Sequence, residues 1–205
     1  MLDYESLLRW SENQWEKSIL PSLSEFISIE ALSPGFEPKW EEKGELSATL
    51  DLFQNWADVQ GIDGLESHRF KLDGRTPLLI IKVKGSLPGE ILFYSHLDKQ
   101  PSKPDLWSDG LSPFVGKRRG EWLYGRGSID DGYGVYLCIS AIKALQAHGM
   151  DHPSATFLIE TCEESGSYDL PAYLDHCTPY LGNPDLVVVM DCLLYTSPSP
   201  RDRFL

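Results

Sequence analysis

Two aspartates stand side by side, Asp130 and Asp131, in the run Y-G-R-G-S-I-D-D-G-Y-G from Tyr124 to Gly134. Adjacent like charges repel unless something positive lies beside them, and a cation is the simplest such partner. The glycines of the run let the backbone take positive φ and approach another group closely. An acidic, glycine-rich surface turn has the same composition, so the pair has to be weighed with its neighbours in the chain. His96 and Asp98 follow the apolar run E-I-L-F-Y-S. Glu163 and Glu164 follow the apolar run from Ala155 to Thr161, and Asp191 closes D-L-V-V-V-M. Taken singly, H-x-D is an ordinary polar pair, adjacent glutamates are a solvated loop, and a lone aspartate is a helix cap. Taken together, they all follow apolar strands, and strand ends of an open α/β sheet gather at one edge.

Imidazole with several carboxylates suits zinc, or manganese or cobalt in the same geometry. Calcium calls for more oxygens and little histidine. Two ions about 3.5–4 Å apart can share a bridging carboxylate and polarise a carbonyl while acidifying a water. A further carboxylate, free of metal, must then take the proton of that water and pass it to a leaving amine. Neighbouring glutamates can divide this labour, one binding and one shuttling.

The elements that must position these groups follow from hydrophobic period. Residues 3–20 carry Tyr4, Leu7, Leu8, Trp15 and Ile19 at helical spacing, and Pro21 is expected to kink or restart the helix before Leu23, Phe26 and Ile27. Ser33-Pro34-Gly35 is a turn. Residues 45–60 form a second helix with Gly61 as its cap. Leu65 to Leu72 and Leu78 to Val83 read as strands about an Asp73-Gly74 turn. Leu87-Pro88-Gly89 turns the chain into the strand Glu90 to Ser95. Glu121 to Tyr124 is a brief strand, and Val135, Cys138, Ile142 and Leu145 mark a helix ended by Gly149. The strand Ala155 to Thr161 follows, then a short helix capped by Asp169 with Pro171 in its first turn, then the strand Asp185 to Met190. Strands alternating with helices predict an α/β fold, a mixed and largely parallel sheet flanked by helices.

With 205 residues, 41% hydrophobic and 24% charged, the chain has the make-up of a globular domain. A net charge of −13 argues against a nucleic-acid partner. Residues 1–20 hold no long apolar run, so no signal peptide is expected, and no stretch reaches the length of a membrane helix. Cys138, Cys162, Cys177 and Cys192 show no paired spacing and read as free thiols of a reducing, cytoplasmic compartment. After Asp191 the text changes character. Cys192 to Asp202 can be back-translated as a transposase-type sequencing adapter, so residues 192–205 are expected to be non-native and the natural protein to continue. The adapter also overlaps the last base of the preceding codon, which leaves Asp or Glu open at position 191.

The motifs S-H-L-D-K-Q-P, Y-G-R-G-S-I-D-D-G, E-T-C-E-E-S-G-S and V-V-V-M-D resemble, in order, those of the di-zinc exopeptidases: carnosinases and other dipeptidases, aminoacylases, deacylases and glutamate carboxypeptidases. The resemblance covers residues 1–191 as the N-terminal part of a catalytic domain, and is nearest to the dipeptidase branch. It implies that His96 and Asp191 hold a first zinc, that Asp130 bridges two ions and that Glu164 holds the second. It also implies that Asp98 orients His96, that Glu163 is the general base, and that the Asp130–Asp131 peptide is cis. It places the second site's histidine, and a lid domain that forms homodimers, outside residues 1–191, so this chain alone is expected to have little or no activity. The expected substrates are dipeptides or short peptides. An N-acyl amino-acid deacylase of the same chemistry, or a non-catalytic binding module, stays open.

Overall fold

The computed structural model describes residues 3–191. Cys192 and the whole segment read as adapter-derived lie outside the described residues. The chain opens with α1 (Tyr4–Gln14), a π turn (Trp15–Ile19) and α2 (Leu20–Ser28). Pro21 was expected to kink or restart this run, and α2 does begin beside it. It lies in the first turn of α2, where its missing N–H costs little, and the π turn joins α1 to α2. A single-turn helix, α3 (Trp40–Lys43), leads through Gly44 into α4 (Glu45–Asp58).

The main sheet is mixed. Strands β1 (Leu65–Phe70), β2 (Leu78–Val83), β3 (Leu87–His96), β6 (Pro153–Glu160) and β7 (Leu186–Val189) take the order β1-β2-β6-β3-β7. The β1/β2 and β2/β6 pairs are antiparallel, whereas β6/β3 and β3/β7 are parallel. The expected turn at Leu87-Pro88-Gly89 is a register shift inside β3 rather than its beginning. Pro88 lacks a ladder donor and Gly89 takes φ +100°, so the strand bulges there and continues. A separate ribbon pairs β4 (Lys117–Arg119) with β5 (Trp122–Tyr124).

Both faces of the main sheet are covered over β2 and β6, whereas Leu186, Val187 and Val189 of the edge strand β7 are exposed. On one face Leu79, Ile81, Val83, Phe157 and Ile159 pack against Leu23, Phe26 and Ile27 of α2, Leu50 and Phe53 of α4, and Val135, Tyr136 and Ile139 of α5 (Gly132–Ala147). On the other, Leu78, Ile80, Leu92 and Leu158 meet Tyr173 of α6 (Leu170–His176) and Tyr180 of α7 (Thr178–Leu181). Each such large apolar side chain contributes about 1.5–3 kcal/mol on burial, enough for the core to carry the cost of the polar groups buried beside it. Asp169, expected to cap α6, precedes that helix but makes no capping bond. Its carboxylate accepts from Arg75 Nη1 at 2.8 Å and from Thr76 N at 2.9 Å, because these donors tie α6 to the loop between β1 and β2. Cys138, Cys162 and Cys177 are buried free thiols. Among the described residues no helix is long and apolar enough to cross a membrane.

Candidate metal centre

The three parallel strands point the same way, so their carboxyl ends deliver side chains to one edge. β3 ends in His96, β6 runs into a short 3-10 turn (Glu163–Ser165), and β7 runs into Asp191. The fourth contribution comes from the loop before α5, where the Asp130–Asp131 peptide is cis, as the resemblance implies. The imidazole of His96 is fully buried. Its Nε2 makes no hydrogen bond among the described residues, yet it faces Asp130 Oδ1 at 3.3 Å, Asp191 Oδ1 at 3.6 Å and Glu163 Oε2 at 3.8 Å. The side chains of Asp130, Glu163 and Asp191 are 34%, 31% and 25% exposed. They therefore meet solvent on one side and the buried imidazole on the other.

Two sets of potential ligand atoms lie within 4.8 Å of one another: those of His96, Asp130 and Glu164, and those of His96, Glu163 and Asp191. All the residues singled out as metal ligands or base are thus brought together. Asp131 is turned away from them. Its Oδ2 accepts from the Ser95 hydroxyl and from His96 N at 3.0 Å, so it fixes the end of β3 from beneath. A Cβ on Gly134 would lie 2.7 Å from Asp131 Oδ1, so a glycine is needed for that approach.

Asp98 is fully buried and joins two of the loops. Its backbone carbonyl lies 3.1 Å from His96 Nδ1, closer than its own carboxylate at 3.5 Å. The carboxylate accepts from the backbone N–H groups of Glu163 at 3.2 Å and Glu164 at 3.0 Å. Hydrogen bonding at Nδ1 leaves Nε2 as the atom presented to the carboxylates.

The electrostatics are those of a site short of positive charge. Burial disfavours a charged imidazole, but the carboxylates of Asp130, Asp191 and Asp98 outweigh it and raise the His96 pKa well above the usual value. Burial likewise pushes Glu164 up to about 7 and raises Glu163, and neighbouring carboxylates add to both shifts. A buried imidazole nitrogen without a hydrogen bond, aimed at carboxylates that repel one another, is a donor set fitted to a divalent cation.

Two contacts around the cluster escaped the sequence reading. Gln100 Nε2 donates to Glu164 Oε2 at 2.5 Å, and its place in S-H-L-D-K-Q-P was the available signal. Buried Glu160, at the end of β6, accepts from Tyr94 Oη at 2.6 Å and Ser167 Oγ at 2.9 Å. A buried glutamate inside an apolar strand, four residues before Glu164, could have marked it.

An α/β sheet with histidine and carboxylates gathered at parallel strand ends has the build of a metallohydrolase. The model of peptidase family M20/M25/M40 matches residues 92–201, more than half of the chain, and the chain belongs to this family. It is 33% identical over 196 residues to a human beta-Ala-His dipeptidase, covering 90% of this chain and 38% of that protein. It is 29% identical over 179 residues to a cysteinylglycine-S-conjugate dipeptidase of Corynebacterium striatum, covering 84% of this chain and 36% of the relative. A succinyl-diaminopimelate desuccinylase of Sphingopyxis alaskensis is 32% identical over 130 residues, covering 62% of this chain and 31% of the relative. The chain thus spans less than two fifths of the length of these relatives. The fold matches that of human carnosine dipeptidase 1 with a TM-score of 0.73 at 24% identity, over 92% of this chain and 41% of that one.

Proposed function

We propose that the whole protein is a metal-dependent dipeptidase that hydrolyses the amide bond of dipeptides or short peptides. The observation that carries this is the buried His96 Nε2, aimed into Asp130, Asp191 and Glu163 at the carboxyl ends of parallel strands. In this reading His96, Asp130 and Asp191 hold a first zinc, with manganese or cobalt as alternatives, and Asp130 and Glu164 hold a second. The described residues are then the N-terminal part of the catalytic domain of a longer, cytoplasmic protein that dimerises through a lid. Ions held there would supply Lewis acidity to polarise the scissile carbonyl and acidify the attacking water. Asp98 keeps His96 turned with Nε2 inward, and Gln100 holds Glu164. Glu163 takes a proton from the water as the new C–O bond forms. It returns that proton to the leaving nitrogen as the C–N bond breaks.

The close approach of Glu163 to His96 and Asp191 makes its role as base, rather than ligand, the point to test. In the full-length protein Glu163→Ala should lower kcat by about 10²–10⁴-fold with metal content unchanged. Equal loss of metal and activity would reassign Glu163 as a ligand. A second reading, an N-acyl amino-acid deacylase, is favoured by the similarity to a desuccinylase. The dipeptidase similarity spans more of the chain and supports the first reading. A panel of dipeptides against N-acyl amino acids separates the two.

A further inference from the structure

The loop after β3 carries one buried polar group that this chemistry does not use. Lys99, next to Asp98, is completely inaccessible to solvent. Burying an amine is costly unless polar partners replace its water, and burial pushes this one down to about 7. Its partners are the carbonyls at the C-terminal end of α2. Nζ donates to Ile29 O at 2.6 Å and Phe26 O at 2.8 Å, with Ile27 O at 3.5 Å, and lies 4.0 Å from the centroid of the Phe26 ring. Helix C-termini and aromatic faces both favour a cation. A neutral amine would also donate to these carbonyls, so the contact does not depend on its charge. The loop before Asp130 closes over the stem: a Cβ on Gly127, at φ +86°, would lie 2.7 Å from Lys99 Cε.

The main chain of Lys99 is tied to the same region. Its N donates to Ala31 O at 2.9 Å, and its carbonyl accepts from Ser33 N at 3.1 Å. The segment beyond α2 then reaches the other side of the centre. Ser33 Oγ and Ser165 Oγ share a hydrogen bond at 2.5 Å, and Gly35 N donates to Ser165 Oγ at 2.8 Å. Ser165 directly follows Glu164. One stretch of irregular chain therefore grips the loop bearing His96 through Lys99 and the turn bearing Glu163 and Glu164 through Ser165.

We propose that Lys99 is a positioning residue of the metal centre: seated on the end of α2, it locks the His96–Asp98 loop to segment Ile29–Gly35, which sets the spacing between the imidazole and the glutamates. This rests on the reading of the cluster as a metal site. The test is a Co²⁺ titration of the 205-residue chain, followed by visible absorption, with circular dichroism and thermal melting beside it. Lys99→Met keeps the length of the stem and removes the donors. Its Co²⁺ affinity is expected to fall about tenfold, the low end for groups that orient metal ligands, in a chain that is still folded. A lysine that only stabilises the fold would lower Tm and leave the Co²⁺ Kd of the folded chain unmoved, and that result overturns the proposal. Should Lys99→Met fail to fold, Ser165→Ala decides, since it releases the same segment at its accessible end. Weaker Co²⁺ binding supports the lock, and wild-type binding overturns it. A wild-type chain that binds no Co²⁺ defeats the metal-site reading itself, a different failure, and removes the ground for this inference.

Discussion

The two halves of the metal centre are built differently. His96, Asp98, Lys99 and Asp131 are fully buried and tied down by the backbone around them. Asp130, Glu163 and Asp191 are a quarter to a third exposed and converge on the imidazole at 3.3–3.8 Å. The first half orients and the second half reaches the solvent side, where a substrate arrives. A site divided this way fixes its imidazole through buried groups, while the carboxylates that meet it, ligands and base alike, stand on the solvent side.

The largest effect expected from breaking the buried half comes from Asp98→Asn. An amide there cannot serve equally as acceptor for the N–H groups of Glu163 and Glu164 and as a negative partner for His96. Metal affinity should fall about 10–100-fold, measured by competition with a chelating dye, while the helical content by circular dichroism is kept. An affinity within twofold of wild type would show that the two halves are set independently of Asp98.

A smaller effect sharpens the same contrast through pH. Burial holds Lys99 at about 7 in the fold, with Glu45 and Glu30 opposing that shift and Arg126 adding to it, whereas an unfolded lysine titrates at about 10.4. The folded chain therefore binds fewer protons than the unfolded chain between these values, so this group's contribution to stability rises with pH across that window. The penalty is full below pH 7 and relieved as pH climbs towards 10. Urea unfolding of wild type and Lys99→Met should show their stability difference shifting in favour of wild type by on the order of 1–3 kcal/mol from pH 6.5 to pH 9. A difference flat with pH would mean that Lys99 keeps an ordinary pKa.

What could be read from the chain was mostly what period and motif carry. Alternation and apolar runs placed β2, β6 and the site-bearing end of β3, and the glycines around Asp130 and Asp131 marked a close approach of backbone. The residues that failed to follow the reading did so for tertiary reasons. Pro88 and Gly89 look like a turn locally, but β6 pairs with Leu87 before them and Glu90 after them and carries the strand through as a bulge. Asp169 has the type and position of a cap, yet Arg75 and Thr76, remote in sequence, are better partners. Lys99 carries no sign of burial in its neighbours, because the carbonyls that accept it come from the end of a helix some seventy positions earlier. Of the β4/β5 ribbon only the second strand was read, as Glu121 to Tyr124, because Lys117–Arg119 is short and wholly polar, with too little pattern to stand out.

The most direct test of the metal centre is zinc K-edge X-ray absorption of the 205-residue chain loaded with one equivalent of zinc, beside His96→Ala treated alike. One imidazole with oxygen ligands and no sulfur is the predicted shell, and it should vanish in the variant. Sulfur scattering from the buried cysteines, or an unchanged spectrum without His96, would contradict it.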